Sequence, residues 1–263
     1  PFPYRLPRCE VRMTQFADTL KTWRKVRRYS QLDLASEADV SSRHLSFLET
    51  GRANPSREMI AKLGEALSLP LAVRNQLLAQ AGFAARYPQR NWEADEMAPI
   101  RAAVAYTLKQ HAPYPASAID RHWTIMQMNR PAEQLFSLIG AEVGLSLIDI
   151  MLDPRVQAMI ENWPEVAHHA AQRLRTESAS TGGDERLDAA IEAFSQTPLP
   201  QGVPLGPVIP TIYRAGNLYL SMFTTIAQFG TPEDLALDDL KIELFFPSDK
   251  RTDAALRAMA LGG

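Results

Sequence analysis

The part of the sequence that constrains the fold most is SQLDLASEADVSSRHLSFLETGR, residues 30–52. Ser30 is a good N-cap for a short helix. Asp39 then lies at a tight turn that favours a left-handed backbone conformation. Ser41 is placed to cap a second helix, and Gly51 is placed to end it. The stretch therefore predicts two short helices joined by a tight turn.

The outer face of the second helix combines side chains that a packing helix rarely leaves in water. These residues are Ser42, Arg43, Ser46 and Phe47. Arginine can bind a guanine edge through two hydrogen bonds, and an apolar group can contact a thymine methyl. We interpret the pair as a helix-turn-helix that reads DNA, and a pair that only packs as the alternative.

The pattern Q-x-x-L-A-x-x-x-x-V-S-x-x-x-L-S-x-L-E-x-G-R resembles the lambda-repressor-like, Xre-type helix-turn-helix family over roughly residues 15–80. The resemblance implies that a phosphate contacts Gln31, that bases face the second helix, and that the DNA backbone contacts Arg52. It also implies a buried ion pair between Arg24 and Glu49. The full expected DNA-binding set is Gln31, Ser41, Ser42, Arg43, Ser46, Phe47 and Arg52. Asp39 departs from the family, which usually has glycine there.

The charge of the chain is divided unevenly, although the total is only −2. Residues 1–90 contain 15 Lys/Arg and 8 Asp/Glu, whereas residues 91–263 contain 13 and 22. A basic module is attracted to phosphate and an acidic one is repelled by it. The predicted divisions are an N-terminal arm at 1–13, a helix-turn-helix domain at 14–82, a linker at 83–96 and a second domain at 97–260.

The second half mixes strand and helix patterns. Two short strands are predicted within residues 114–129, and two further strands form a hairpin about Gly216-Asn217. The remaining predicted elements are helices near 131–139, 154–178 and 185–194, a strand at KIELFF and a helix after Ser248.

Three blocks of this half, PASAIDRHWTIMQMNRPAEQLF, ENWPEVAHHAAQRLRTES and FGTPEDLALDDLKIELFFPSD, resemble the ligand-binding half of MmyB-like, PAS-like bacterial regulators over about residues 97–255. The resemblance implies a five-stranded antiparallel sheet with helices on one face and a cavity between them. It further implies a small apolar ligand, with a fatty acid as the leading candidate. The expected fold class is thus an all-α helix-turn-helix domain followed by an α+β PAS-like domain.

Bulky apolar residues on both strands and helices of this half permit such a cavity. The residues expected to bound it are Trp123, Met126, Phe136, Trp163 and Phe223. The alternative is that these side chains simply fill the core. A carboxylate head group would need a donor near the mouth, and the available candidates are Arg121, Arg130, His168 and Tyr213.

Enzyme chemistry receives no support from the sequence. His168 and His169 are adjacent and diverge on a helix, so they do not form a metal-binding pair. Cys9 is the single cysteine, and neither a nucleophile elbow nor a phosphate-binding loop is present. Asp120 and His122 flank a turn, where structural roles are commoner. We expect no catalytic residue, no metal and no cofactor, a bound fatty acid being the one implied small molecule.

The expected partners follow from these assignments. They are a double-stranded DNA operator, a small apolar ligand and a second copy of the chain. A lone cysteine and the lack of an apolar run of 18 residues predict a cytoplasmic protein without a membrane span. The alternative function is a DNA-binding adaptor whose second half docks a protein partner.

Overall fold

A computed structural model of the chain describes residues 8–199, 202, 208–230 and 232–261, with the backbone alone described for residues 8–13. The chain forms two compact units, the first reaching Gln89 and including 233–235, the second made of 90–232 and the residues after 235. The division falls inside the 83–96 segment predicted as a linker. Tyr87 and Trp92 in that segment are buried. The arm predicted at 1–13 lies outside the described residues up to residue 7, and the first helix already begins at Arg8.

Five helices make up the described part of the first unit. They are α1 (Arg8–Val26), α2 (Gln31–Glu37), α3 (Ser42–Glu49), α4 (Arg57–Ala66) and α5 (Leu71–Gln80). Their apolar stripes meet in one core, whose fully buried members include Phe16, Leu20, Leu34, Leu45, Leu48, Leu63 and Leu77. This core holds α3 by one face and leaves its other face free.

The second unit contains a five-stranded antiparallel sheet and eight further helices among its described residues. The strands are β1 (Ala116–Ile119), β2 (Ile125–Met128), β3 (Thr211–Ala215), β4 (Leu218–Gln228) and β5 (Lys241–Pro247), in the order β2-β1-β5-β4-β3. The helices are α6 (Ala98–Gln110), α7 (Arg130–Phe136), α8 (Leu147–Met151), α9 (Pro154–Gln157), α10 (Trp163–Thr181), α11 (Glu185–Ser195), α12 (Leu235–Asp238) and α13 (Lys250–Leu261). The predicted hairpin is confirmed, because Ala215 pairs with Leu218 around Gly216-Asn217.

Helices cover both faces of the sheet, so the expectation of helices on one face is wrong. Ile119 and Phe245 belong to the core shared with α7, α10 and α11. Ala118 and Ile242 belong to a separate core with Val104 of α6. Successive strand residues point to opposite faces, which accounts for the two sets. The apolar face of α6 is therefore buried against the sheet from the other side.

The single helix predicted over 154–178 is also wrong, because the structure divides it into α9 and α10. Ile160 forms an isolated bridge with Tyr213, and the Glu161 amide donates to the Ile212 carbonyl at 2.8 Å. Pro164 has no amide hydrogen and fits only the first turn of a helix. The chain thus leaves the helix to pair with β3 and begins α10 at Trp163.

Candidate functional sites

The α2–α3 motif forms as its local sequence predicts. Ser30 accepts from the Asp33 amide while the Asp33 carboxylate accepts from the Ser30 amide, a reciprocal capping box. Ser41 caps α3 by accepting from the His44 amide at 3.2 Å. Asp39 has φ +51° and Gly51 has φ +71°, so both chain reversals use the left-handed conformation.

The two faces of α3 differ sharply. Leu45 and Leu48 are fully buried in the first core. Ser42 and Arg43 are exposed on the opposite face, and Ser46 and Phe47 are partly exposed beside them. The Arg43 guanidinium lies 5.5 Å from the centre of the Phe47 ring. This contact gives the long Arg43 side chain a packed support on the open face of the helix.

The ion pair implied for Arg24 and Glu49 is present and joins α1 to α3. Arg24 Nε and Nη2 donate to the two Glu49 carboxylate oxygens at 2.5 and 2.9 Å. Arg24 Nη1 donates to the Tyr29 carbonyl at 2.9 Å, so each of the three guanidinium nitrogens has an acceptor. Burial raises the pKa of Glu49, but hydrogen bonds from Arg24 and Gln31 outweigh it, and the net pKa lies below its usual value.

The Gln31 side chain was expected to bind a phosphate, but in the structure its amide already makes a hydrogen bond within the protein. Its Nε2 donates to Glu49 Oε2 at 2.7 Å. A primary amide carries two hydrogens, so one remains for another acceptor. Arg52 is exposed just after α3. The start of α2 is thus joined to the end of α3 through the Gln31–Glu49 hydrogen bond, and the expected DNA contacts run from Gln31 through α3 to Arg52 along the chain.

A cavity of about 290 Å³ lies between the sheet and the helices of the second unit. This volume is near the lower end of the range typical of small-molecule sites. Its apolar lining includes Trp123, Phe136, Leu147, Ile150, Met151, Val156, Val166, Met222, Phe223 and Phe245. The exposed His169 and Thr224 also line it, which places them at its rim.

Three of the five predicted cavity residues come together here, namely Trp123, Phe136 and Phe223. Met126 does not, because it follows Ile125 on β2 and packs in the α6 core on the opposite face. Trp163 does not either. Its ring packs 5.9 Å from that of Phe194 on α11, and its Nε1 donates to the Thr197 hydroxyl at 3.1 Å.

Trp123 holds an unusual backbone conformation, with φ +58°. A left-handed conformation is costly for a bulky residue and persists where surrounding contacts determine it. The Trp123 amide donates to the Asp120 carbonyl, and Asp120 Oδ1 accepts from the His122 and Thr124 amides. This turn positions the Trp123 indole next to Glu177, and Trp123 Nε1 donates to Glu177 Oε2 at 2.9 Å. Asp120 and His122 thus have structural roles, as the sequence favours.

A polar cluster borders the cavity beside this indole. Arg173 stacks over the Trp123 ring, 4.1 Å from its centre. Its Nε donates to Glu177 at 2.9 Å and its Nη1 donates to Glu243 at 2.5 Å. Lys241 approaches Glu177 to 2.7 Å. Arg173 and Glu243 both line the cavity.

Only Tyr213 among the four candidate head-group donors lines this cavity. Burial, with a smaller contribution from Glu243, raises its pKa to about 12, so the phenol stays protonated. Arg121 pairs with Asp184, Arg130 borders a separate surface depression, and His168 bonds Gln172.

Sequence reasoning missed His169, Arg173 and Glu243, although a signal existed on α10. Val166, Ala170 and Arg173 follow the i, i+4, i+7 spacing of one helix face, and all three line the cavity. Although His169 is exposed at the rim, partial desolvation of its imidazole is the main reason that its pKa is lowered, and the charge of Arg173 contributes. Its imidazole is therefore neutral near pH 7, with one donor and one acceptor nitrogen.

No group of three or more His, Cys, Asp or Glu side chains is arranged to hold a metal ion in the described part of the chain. None of the helices described there is long and apolar enough to cross a membrane.

Each of the two units contains a segment that matches a known protein family. Residues 15–77 match a helix-turn-helix domain. Residues 100–202 match the MmyB-like transcription regulator ligand binding domain, a match that ends before β3. Both families are regulatory binding domains rather than enzymes. The curated proteins contain no match to the chain. The chain is thus a transcription regulator in which a helix-turn-helix domain precedes an MmyB-like ligand-binding domain.

Proposed function

We propose that this regulator is of the Xre type, that α3 reads operator bases, and that the second unit senses a small apolar ligand. A fatty acid is the first compound to consider, because the MmyB-like resemblance implies it. The protein acts as a cytoplasmic homodimer. The observation that carries the sensing function is the largely apolar cavity in the core of the second unit, whose lining also includes polar side chains from α10 and from the sheet.

The α3 face supports DNA reading on chemical grounds. Arg43 is exposed and supported by Phe47, so its fork is available for a guanine edge. Ser42 and Ser46 add hydroxyls, which bond either bases or phosphates. Arg52, beyond the helix end, suits a phosphate. The excess of basic residues in the first 90 positions favours the same partner.

The cavity favours ligand sensing over the adaptor alternative. A docking surface would present a broad apolar face to solvent. Here Trp123, Phe136, Met222 and Phe245 turn inward and are at least nine-tenths buried while still lining open volume. Such volume, bounded by flexible and aromatic side chains, suits a compact guest.

A homodimer follows from the size of the DNA-reading element. One recognition helix contacts only a few base pairs, so two are needed for useful affinity, about 34–36 Å apart on the duplex. The acidic second unit is repelled by phosphate and is the better candidate to hold the dimer.

Selection of duplexes from a random pool by the full chain tests this function. We expect enrichment of a pseudo-palindrome whose half-sites are about one helical turn apart. Native mass spectrometry of the same protein, with decanoic acid and methyl decanoate added, tests the cavity. Ala170→Leu adds bulk to the cavity wall and should abolish capture, whereas Ala102→Leu on the exposed face of α6 should not. Enrichment of no sequence would contradict operator reading, and equal capture by both variants would contradict the cavity site.

A further inference from the structure

The charged residues on the cavity wall already balance one another. Arg173 is bracketed by Glu177 and Glu243, and Lys241 neutralises Glu177 from the other side. The four side chains form one cluster of two cations and two anions, of which Arg173 and Glu243 line the cavity. Glu243 is buried and belongs to the cavity lining. An incoming carboxylate would meet a carboxylate already in place and an arginine whose charge is already compensated.

The same guanidinium retains unused hydrogen-bonding capacity. Arg173 Nη2 is buried and has no hydrogen-bond partner within the described residues. Arginine cannot lose its proton, and its nitrogens only donate, so this group requires an acceptor. Buried donors without partners are rare in folded proteins. Arg173 lines the cavity, so a ligand bound there can bring an oxygen acceptor to its guanidinium.

Neighbouring groups favour an uncharged oxygen as that acceptor. The Tyr213 phenol stays protonated and the His169 imidazole stays neutral near pH 7, so both offer hydrogen bonds without adding charge. A cationic head group is also disfavoured, because it would stand beside Arg173 and compete with it for Glu243. The remaining lining is apolar and suits a hydrocarbon body.

We infer that the ligand is an amphiphile with an uncharged oxygen acceptor, such as an ester, a ketone or an alcohol, rather than a free carboxylate or an amine. Its oxygen pairs with Arg173 and its hydrocarbon part contacts Trp123, Phe136 and Phe223. This inference rests on the proposed sensing function and narrows the fatty acid candidate to neutral fatty acyl or alkyl derivatives.

Calorimetry of the full chain at pH 7 with four probes of one chain length tests the head-group class. The probes are methyl decanoate, decan-1-ol, decanoate and decylammonium. We expect the ester or the alcohol to bind at least about tenfold more tightly than either charged probe. A hydrogen bond to the charged Arg173 and repulsion between like charges should each change the affinity by about that factor. Tighter binding of decanoate or decylammonium would overturn the inference and leave sensing intact. Binding of none of the four would remove the sensing function and the inference together.

A charge-specific variant separates repulsion from shape. Glu243→Gln keeps an oxygen for Arg173 and removes the negative charge from the wall. Decanoate affinity should rise about tenfold in this variant, whereas methyl decanoate affinity should change by less than about threefold. The matched control is Glu192→Gln on the exposed side of α11, outside the cavity, which should alter neither affinity. Equal changes for both probes in Glu243→Gln would contradict the charge argument, and thermal melting verifies that the variant is folded.

Discussion

Removal of the Glu49 carboxylate should weaken the DNA-reading unit more than any change on its surface. Glu49 is 7% exposed and accepts both arms of the Arg24 fork and the Gln31 amide. Glu49→Ala leaves the Arg24 charge buried with the Tyr29 carbonyl as its remaining acceptor. Breaking a buried pair costs about 3–5 kcal/mol, and we expect about 3 because Arg24 retains some exposure. Replacing both partners, as Arg24→Met with Glu49→Leu, should cost much less, since no charge is left unpaired.

Hydrogen exchange of the full native chain measures this loss of stability at individual amides. We expect amides of residues 31–52 to exchange about two orders of magnitude faster in Glu49→Ala, because each tenfold corresponds to about 1.4 kcal/mol of opening free energy. Glu65→Ala, an exposed glutamate on α4, is the control and should leave exchange unchanged. Similar exchange in the two variants, or a double variant as weak as the sum of its singles, would refute the reasoning.

The Arg24–Glu49 pair also makes the stability of the first unit depend on pH. The folded pKa of Glu49 is lowered, so its contribution to stability is complete above the unfolded pKa and is lost as pH falls through the folded value. Wild-type protection of residues 31–52 should therefore decline in acid, and Glu49→Gln should remove this part of the decline. An unchanged acid profile in that variant would show that other carboxylates dominate.

Three further outcomes are expected. In fluorescence anisotropy, Arg43→Ala should lose about 1–3 kcal/mol of binding free energy on the selected operator and flatten base preference. Arg52→Ala should weaken binding to all duplexes alike and lower the slope of log affinity against log salt by about one. Equal losses of affinity by Arg43→Ala on operator and random DNA would contradict base reading. Asp39→Gly should stabilise the first unit by about 1 kcal/mol, because φ is +51° there, and an unchanged or lower denaturation midpoint would contradict the strain. The full chain should sediment as a dimer while a chain ending at Gln89 sediments as a monomer, and a dimeric fragment would place the interface in the first unit.

The helix-turn-helix was predictable because its signals are local. Ser30, Ser41 and Gly51 act within a few residues of their own position, so capping and chain reversal follow from short-range chemistry. Strands β1 to β5 were also predictable from period-two patterns and turn residues. Val26 shows the limit of this reasoning, since it continues the apolar spacing of α1 and is nevertheless 58% exposed. Periodicity cannot tell where the neighbouring helices stop covering a stripe.

The ligand site was only partly predictable because its geometry is set by distant pairing. Met126 and Ile125 are adjacent, and the identity of the face toward the cavity depends on where α6 packs. The break between α9 and α10 depends on the pairing of Ile160 with Tyr213, about 50 residues away. Arg173 and Glu243 meet only after β5 and α10 pack together, so no local pattern marks their cluster.

The most direct test of regulation by a ligand is the effect of methyl decanoate on operator binding by the full chain. Fluorescence anisotropy with the selected operator should show a shift of about 5- to 150-fold in DNA affinity, the usual size of coupling between two sites. The shift should disappear in Ala170→Leu and persist in Ala102→Leu. If methyl decanoate occupies the cavity by calorimetry and the operator affinity stays the same, the second unit binds the compound without controlling the first, and sensing is refuted.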